Sequence, residues 1–275
     1  MNNQLHNLTN DIVVRDIKHK NSYNSDTIHR HNYYEVFMFN RADGDSMQII
    51  DFCKYSIKSN HIYIVAPGQV HLMKRLSDDN GILIQFTKEF LSESILPMHI
   101  DWYSRFITNP VINIPANISK QLFNNISKLK EIYNTESAYR KQKLQKMFGL
   151  IFFSILEFTN NDRYNSNNLA YHFITEAEKR FREIRIVKQY ANSLNVTISK
   201  LETVVKKHFG KTPLQIINEI LITEIKRVLI TENISQKEIT HLLNFDSQAS
   251  YTRFIKRNTG MTPTQLKNAM LEIHK

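Results

Sequence analysis

Four side chains in the first third of the chain have the types and spacing for coordination chemistry. HRHNYYE (29–35) sets His29 and His31 two residues apart with Glu35 further on, and APGQVH (66–71) ends in His71. Residues two apart on a strand share a face, so the imidazoles of His29 and His31 point the same way. Such a set suits a first-row divalent metal with open positions, which would make the chain a metal-dependent enzyme, an oxygenase or isomerase. It equally suits a pocket for a small effector, or a hydrogen-bonded turn with no ligand. The pocket reading, with His29, His31, Glu35 and His71 as its residues, is the one taken forward. No catalytic residue, metal or cofactor is assigned, because no nucleophile–base pair and no phosphate-cradling glycine loop occurs in the sequence.

A second chemistry, recognition of a polyanion, is written in a repeat. KKHFGKTPLQ (206–215) and KRNTGMTPTQ (256–265) agree at Lys206/Lys256, Gly210/Gly260, Thr212/Thr262, Pro213/Pro263 and Gln215/Gln265. The chain has only six glycines and six prolines in 275 residues, so one of each in register twice is not chance. Net charge is +10, and the basic excess is concentrated in the same part of the chain. Residues 1–160 hold 18 Lys/Arg against 15 Asp/Glu, whereas residues 161–275 hold 18 against 11. A basic excess gathered in one segment points to nucleic acid.

These residues need elements to position them. YEVFMFN (34–40), MQIIDFCKYSI (47–57), HIYIVAP (61–67) and ILIQF (82–86) are short, β-branched and aromatic, and the spacing predicts a sandwich or small barrel over 11–90. From 118 the apolar period becomes helical (Ile118, Leu122, Ile126, Leu129), and a second helix spans 137–158. Its apolar surplus can pack on the strands and also form a dimer seam, with Phe152 and Leu156 as the test residues. NNDRYNSNN (160–168) reads as a linker. Trp102 and Tyr103 read as core, lone Cys53 as a small buried hydrophobe, and His208 and His241 as helix-surface or cap residues.

Each repeat reads as a short helix, a turn on Asn195 or Asn244, and a basic helix. Thr197, and Asp246 or Ser247, are placed to cap the second helix, and Gly210 or Gly260 to end it. That is a helix-turn-helix, made twice. PLQIINEILITEIKRVLI (213–230) keeps helical spacing between the units. Its length, about 27 Å, is of the order needed to set two such helices in successive major grooves.

The last ~105 residues resemble the DNA-binding domain of the AraC/XylS transcription regulators. NFDSQASYTRFIKRNTGMTPTQLK follows that family's signature of a turn, a Ser, an aromatic, an Arg, a basic pair and Gly-x-Thr/Ser-Pro. Asn244 stands where the family usually has Gly, and Thr203 where its first unit often has Arg. The His/Glu set is similar to that of metal-binding cupins, although Gly68 directly after Pro67, and Arg75 in place of an amide, depart from their pattern. Regulators of the resembled family commonly carry a cupin-like barrel whose equivalent residues line an effector pocket or secure a turn.

The resulting expectation is an α+β chain of two domains. Residues 1–160 form a cupin-like β-barrel with appended helices, 161–170 a linker, and 171–275 an all-α domain with two helix-turn-helix units joined by a linker helix. Helix geometry faces Ser199, Glu202, Thr203, Gln248, Ser250 and Arg253 to base edges. It faces Thr197, Lys206, Lys207, Ser247, Lys256 and Arg257 to phosphates, while Leu201, Val204, Val205, Tyr251, Phe254 and Ile255 pack inward. Arg253 is the foremost base reader, since Arg grips guanine with two prongs. The function implied is a cytoplasmic, homodimeric, sequence-specific regulator, activating more often than repressing. Promoter DNA and RNA polymerase are its partners, together with a small-molecule effector. No run approaches the roughly 20 apolar residues of a membrane span, and the N-terminus lacks a signal pattern.

Overall fold

The computed structural model describes residues 8, 10–17, 27–76, 79–95, 106–107, 109–159 and 169–273. They fall into two compact units that divide between Thr159 and Leu169. Trp102, Tyr103 and nearly all of the 161–170 linker lie outside the described residues. Leu169 and Ala170, placed in that linker by sequence, already belong to a helix.

The first unit begins with strands β1 (Ile12–Ile17), β2 (His29–Arg30), β3 (Tyr34–Arg41), β4 (Asp43–Ile50) and β5 (Cys53–Lys58). β6 (His61–Val65), β7 (Val70–Lys74), β8 (Asn80–Phe86), helix α1 (Lys88–Ser94) and β9 (Val111–Asn113) follow. The strands do not close into a single barrel. They form a five-stranded sheet, β1-β8-β3-β6-β9, and a four-stranded sheet, β2-β7-β4-β5, with antiparallel pairing throughout. The stretch 47–57, read as one strand, is a hairpin that turns at Asp51 and Phe52, with Asp51 at φ +52°.

Helices α2 (Ala116–Asn134) and α3 (Arg140–Leu156) cover the outer face of the five-stranded sheet. Side chains alternate across a strand, which explains the unbroken apolar run of β3. Tyr34, Val36 and Met38 pack toward the helices with Leu122, Ile126, Phe148 and Phe152. Phe37 and Phe39 pack the other way, between the sheets, with Ile50, Ile57 and Met73 of the four-stranded sheet. Phe152 is therefore core, 2% exposed and edge-on to Phe106, and is not a seam residue. Cys53 is exposed rather than buried, because it opens β5 beside the hairpin turn.

The second unit is helical: α4 (Leu169–Arg180), α5 (Val187–Ser193), α6 (Ile198–Phe209), α7 (Pro213–Thr231), α8 (Gln236–Leu242), α9 (Gln248–Thr259) and α10 (Pro263–Ile273). α7 is the predicted joining helix, and Ile217, Leu221, Ile225 and Val228 along it are fully buried. A strongly apolar helix of this kind serves two packing faces at once.

Candidate nucleic-acid interface and buried histidine cluster

The sequence repeat is a repeat of hydrogen bonds. Asn195 and Asn244 adopt left-handed φ of +54° and +51°, a conformation Asn tolerates better than other side chains. The turn amides then reach back identically: Val196 N to Ala191 O, and Phe245 N to Thr240 O, both 2.9 Å. Thr197 Oγ1 accepts from Lys200 N at 3.2 Å, and Ser247 Oγ from Ser250 N at 3.1 Å, capping α6 and α9. Asp246, the other candidate cap, does not serve. At the far ends Gly210 and Gly260, at φ +70° and +74°, donate to Lys206 O and Lys256 O, both at 2.9 Å. Positive φ without a Cβ penalty is why both positions are glycine.

The shared Gln closes the cap of the following helix. Gln215 Oε1 accepts from Thr212 N at 2.8 Å, and Gln265 Oε1 from Thr262 N at 2.9 Å, while each Thr hydroxyl accepts from the backbone N–H of its Gln. Thr-Pro-x-Gln is a capping box with proline at the first helical position, a pattern readable from sequence.

α6 and α9 each bury one stripe. Leu201, Val205, Tyr251 and Ile255 are fully buried, and Val204 and Phe254 are half-buried. On the opposite faces Thr197, Ser199, Glu202, Thr203, Lys206 and Lys207 are exposed, as are Ser247, Gln248, Arg253, Lys256 and Arg257. Ser250 differs. It is half-buried, and its hydroxyl donates to Ser247 O at 2.7 Å and accepts from Ser247 N at 3.1 Å, so it closes the α9 cap. Thr203 returns its hydroxyl to Ser199 O at 2.8 Å. His208 and His241 are exposed helix residues, as read from sequence.

Two arginines that no motif marks tie the helix-turn-helix units together. Arg182 donates to Glu224 at 2.6 Å, and Arg227 lies 3.5 Å from the same carboxylate. Arg185 donates to Leu243 O and stacks over the Phe245 ring at 4.0 Å, in the turn of the second unit. The partners lie 42 and 58 residues away, beyond any local pattern.

In the first unit the structure brings His29, His31, Glu35 and His71 together between the sheets. His29 and His71 are register partners across β2 and β7. Glu35 reaches in from β3, where Gln85 is its partner on β8. A turn over Pro67 and Gly68, with Gly68 at φ +82°, aims His71 inward. Asp51 holds that turn by accepting from Gln69 Nε2 at 2.9 Å and Val70 N at 3.2 Å. His31, Glu35 and His71 are fully buried. Burial alone pushes the Glu35 carboxyl up, but the His31 and His71 charges and the hydrogen bonds from His31 and Gln85 hold it below the usual carboxylate range. Burial pushes the His71 imidazole well below its ordinary value, with Glu35 opposing.

The duplicated caps, turns and exposed basic helices define a double helix-turn-helix domain. A helix-turn-helix domain family profile matches residues 190–269, spanning both units. The chain is 32% identical over 65 residues to an uncharacterized HTH-type transcriptional regulator, YobQ, of Bacillus subtilis, an alignment covering 24% of this chain and 27% of that protein. It thus spans about a quarter of the length of the curated relative it matches. Among solved structures it is similar to ToxT of Vibrio cholerae bound to an unsaturated fatty acid, at 15% identity over 93% of this chain and 94% of that one, with a TM-score of 0.44. It is also similar to the DNA-binding domain of AdpA in complex with a target DNA, at 18% identity over 38% of this chain and 93% of that one, TM-score 0.34. Over residues 190–269 the C-terminal unit is similar to helix-turn-helix domains.

Proposed function

We propose that this chain is a sequence-specific DNA-binding transcription regulator. The observation that carries the reading is the pair of equivalently capped helices, α6 and α9, each buried on one stripe and polar or basic on the other. On this reading the two helices enter successive major grooves of promoter DNA. Glu202, Ser199, Thr203, Gln248, Ser250 and Arg253 face base edges, and Lys206, Lys207, Lys256, Arg257 and the capping Thr197 and Ser247 meet phosphates. Ser250 would have to give up part of its cap to reach a base, which ranks it below Arg253. The described residues carry no helix long and apolar enough to cross a membrane, and a DNA target places the protein in the cytoplasm.

The strand-rich unit, residues 1–160 with a cupin-like arrangement of antiparallel strands, is the sensing part, joined by the 161–170 segment to the DNA-binding part at 171–275. The His29, His31, Glu35 and His71 cluster is its effector site. Effector binding shifts the population of domain arrangements in a homodimer, and with it the contact to RNA polymerase, with activation as the main outcome. Non-enzymatic regulation is favoured over a metal-dependent enzyme because the duplicated interface gives the chain a DNA target.

The test selects DNA fragments with the full chain, then measures affinity on the selected and a scrambled duplex at two salt concentrations. With six or more phosphate contacts, affinity falls by a factor on the order of 10³ between 50 and 200 mM salt. Arg253→Ala loses about 1–3 kcal/mol on the selected site and relaxes one base preference. Lys256→Ala weakens both duplexes alike and shallows the salt slope by about one. Equal losses on both duplexes for Arg253→Ala would make it a backbone contact, and no enrichment of any sequence would end the proposal.

A further inference from the structure

The buried cluster between the sheets has a geometry that an organic effector does not explain. Three atoms converge: His31 Nε2 and His71 Nε2 are 3.1 Å apart, and Glu35 Oε2 lies 3.3 Å from the first and 3.5 Å from the second. Atoms this close leave room among them for a single ion and not for a molecule. Metal–nitrogen bonds of about 2.0–2.1 Å in tetrahedral geometry separate ligand atoms by roughly 3.4 Å. The three distances straddle that value. The donor atoms of His29, His31 and His71 all fall within 4.8 Å of one another, so His29, half-buried at the rim, is placed to supply a fourth ligand.

The surrounding hydrogen bonds turn the donor atoms inward. His31 Nδ1 donates to Tyr33 O at 2.8 Å, and His29 Nδ1 to Thr27 O at 2.9 Å. A carbonyl only accepts, so both rings carry a proton on Nδ1, and Nε2 is the nitrogen left to face the centre. Glu35 Oε1 accepts from Gln85 Nε2 at 2.6 Å, which leaves Oε2 toward the imidazoles. His71 Nδ1 faces the Gln48 amide at 3.3 Å. Gln48 is fully buried, and its Oε1 has no hydrogen-bond partner. Turning that amide over gives Oε1 a donor, the His71 Nδ1–H, and commits the His71 Nε2 lone pair to the centre as well. The resulting arrangement satisfies every outer group and leaves two nitrogen lone pairs and a carboxylate oxygen facing one another. Those three repel unless a cation lies among them, either a proton on His31 Nε2 or a metal ion in its place.

We propose that His31, His71 and Glu35, with His29 closing from the rim, bind a divalent first-row transition-metal ion. Imidazole-rich sets take Zn²⁺ or Fe²⁺, whereas Mg²⁺ keeps to oxygen ligands. The ligands come from β3 in one sheet and from β7 and the β2 segment of the other, so the ion staples the two sheets. The inference rests on the reading of this cluster as the effector site, and it names the effector as the ion itself.

The test uses the full chain, stripped with a chelator and titrated calorimetrically with Zn²⁺, with Mg²⁺ as comparator. The expected result is one Zn²⁺ per chain, no Mg²⁺ heat, and a higher unfolding temperature with Zn²⁺. His31→Ala abolishes binding. Gln48→Ala, which touches only the outer hydrogen bond and spares every ligand, weakens it about 10- to 100-fold. Absence of stoichiometric Zn²⁺ binding by the wild type overturns the proposal, whatever the variants do. So does Zn²⁺ affinity unchanged in a folded Gln48→Ala and a folded His31→Ala, which would place the ion elsewhere. DNA affinity measured with and without Zn²⁺ separates the two readings. Zn²⁺ binding with no change on DNA upholds the metal site and overturns its regulatory use.

Discussion

Tyr190 and Tyr251 are both fully buried in the helical unit, and burial pushes both hydroxyls up to about 12. Their surroundings differ by one hydrogen bond. Tyr190 Oη donates to Ile184 O at 2.9 Å, while Tyr251 Oη is buried with no hydrogen-bond partner among the described residues. A buried polar atom that gains nothing from the protein has still lost its water. Tyr190→Phe should therefore cost about 1 kcal/mol, leaving the Ile184 carbonyl short of a donor, whereas Tyr251→Phe should be neutral or stabilising. Urea unfolding followed by far-ultraviolet circular dichroism, which is dominated by this helical unit, measures both. Equal losses for the two variants would mean that Tyr251 finds a partner in solution.

At the scale of elements, the two helix-turn-helix units are coupled by more than the helix between them. Glu224, on α7 and 4% exposed, holds Arg182 from the segment after α4 and Arg227 one turn along its own helix. Breaking a buried ion pair by deleting one partner costs about 3–5 kcal/mol, because a charge is left in a poor dielectric. Arg182 is near the surface, so Glu224→Ala should fall at the low end, about 3 kcal/mol. Arg185 works differently: its guanidinium lies on Phe245 and bonds the Leu243 carbonyl, clamping the 181–185 segment to the turn that aims α9. Arg185→Ala should cost about 1–2 kcal/mol of stability. It should also broaden the half-site spacings the protein tolerates, measured on duplexes with one or two base pairs inserted between the sites. Unchanged spacing preference would show that α7 alone sets the geometry.

At the scale of the whole molecule, pairing of two chains is proposed to run through α2 and α3, and the structure sorts the side chains that could serve. Phe148 and Phe152 are in the core against the five-stranded sheet. Leu150, between them in sequence, points outward at 55% exposure. A negative charge at Leu150 should give folded monomers, and one at Phe152 should unfold the strand-rich unit. Sedimentation at micromolar concentration with circular dichroism separates the outcomes, and a wild-type monomer would end the dimer proposal.

The duplicated domain was legible in the residues because its determinants are local. Asn at the turn, Thr or Ser at the cap, Gly at the helix end and Thr-Pro-x-Gln at the next start each act over three or four residues, through backbone geometry and hydrogen bonds within one turn. The same holds for α2, α3 and α7, whose apolar spacing needs only a neighbour of unspecified identity. What only the tertiary structure decided are pairings between distant segments. His71 is grouped with His31 and Glu35 by motif resemblance, but the distances among them depend on the β2–β7 and β3–β8 registers and on the stacking of the two sheets. Two open sheets rather than one barrel, Phe152 inward and Cys53 outward, and Arg185 on Phe245 have the same origin. Each depends on which faces are brought together by burial of apolar surface, a non-directional force that sequence spacing reports only as a face and never as a partner.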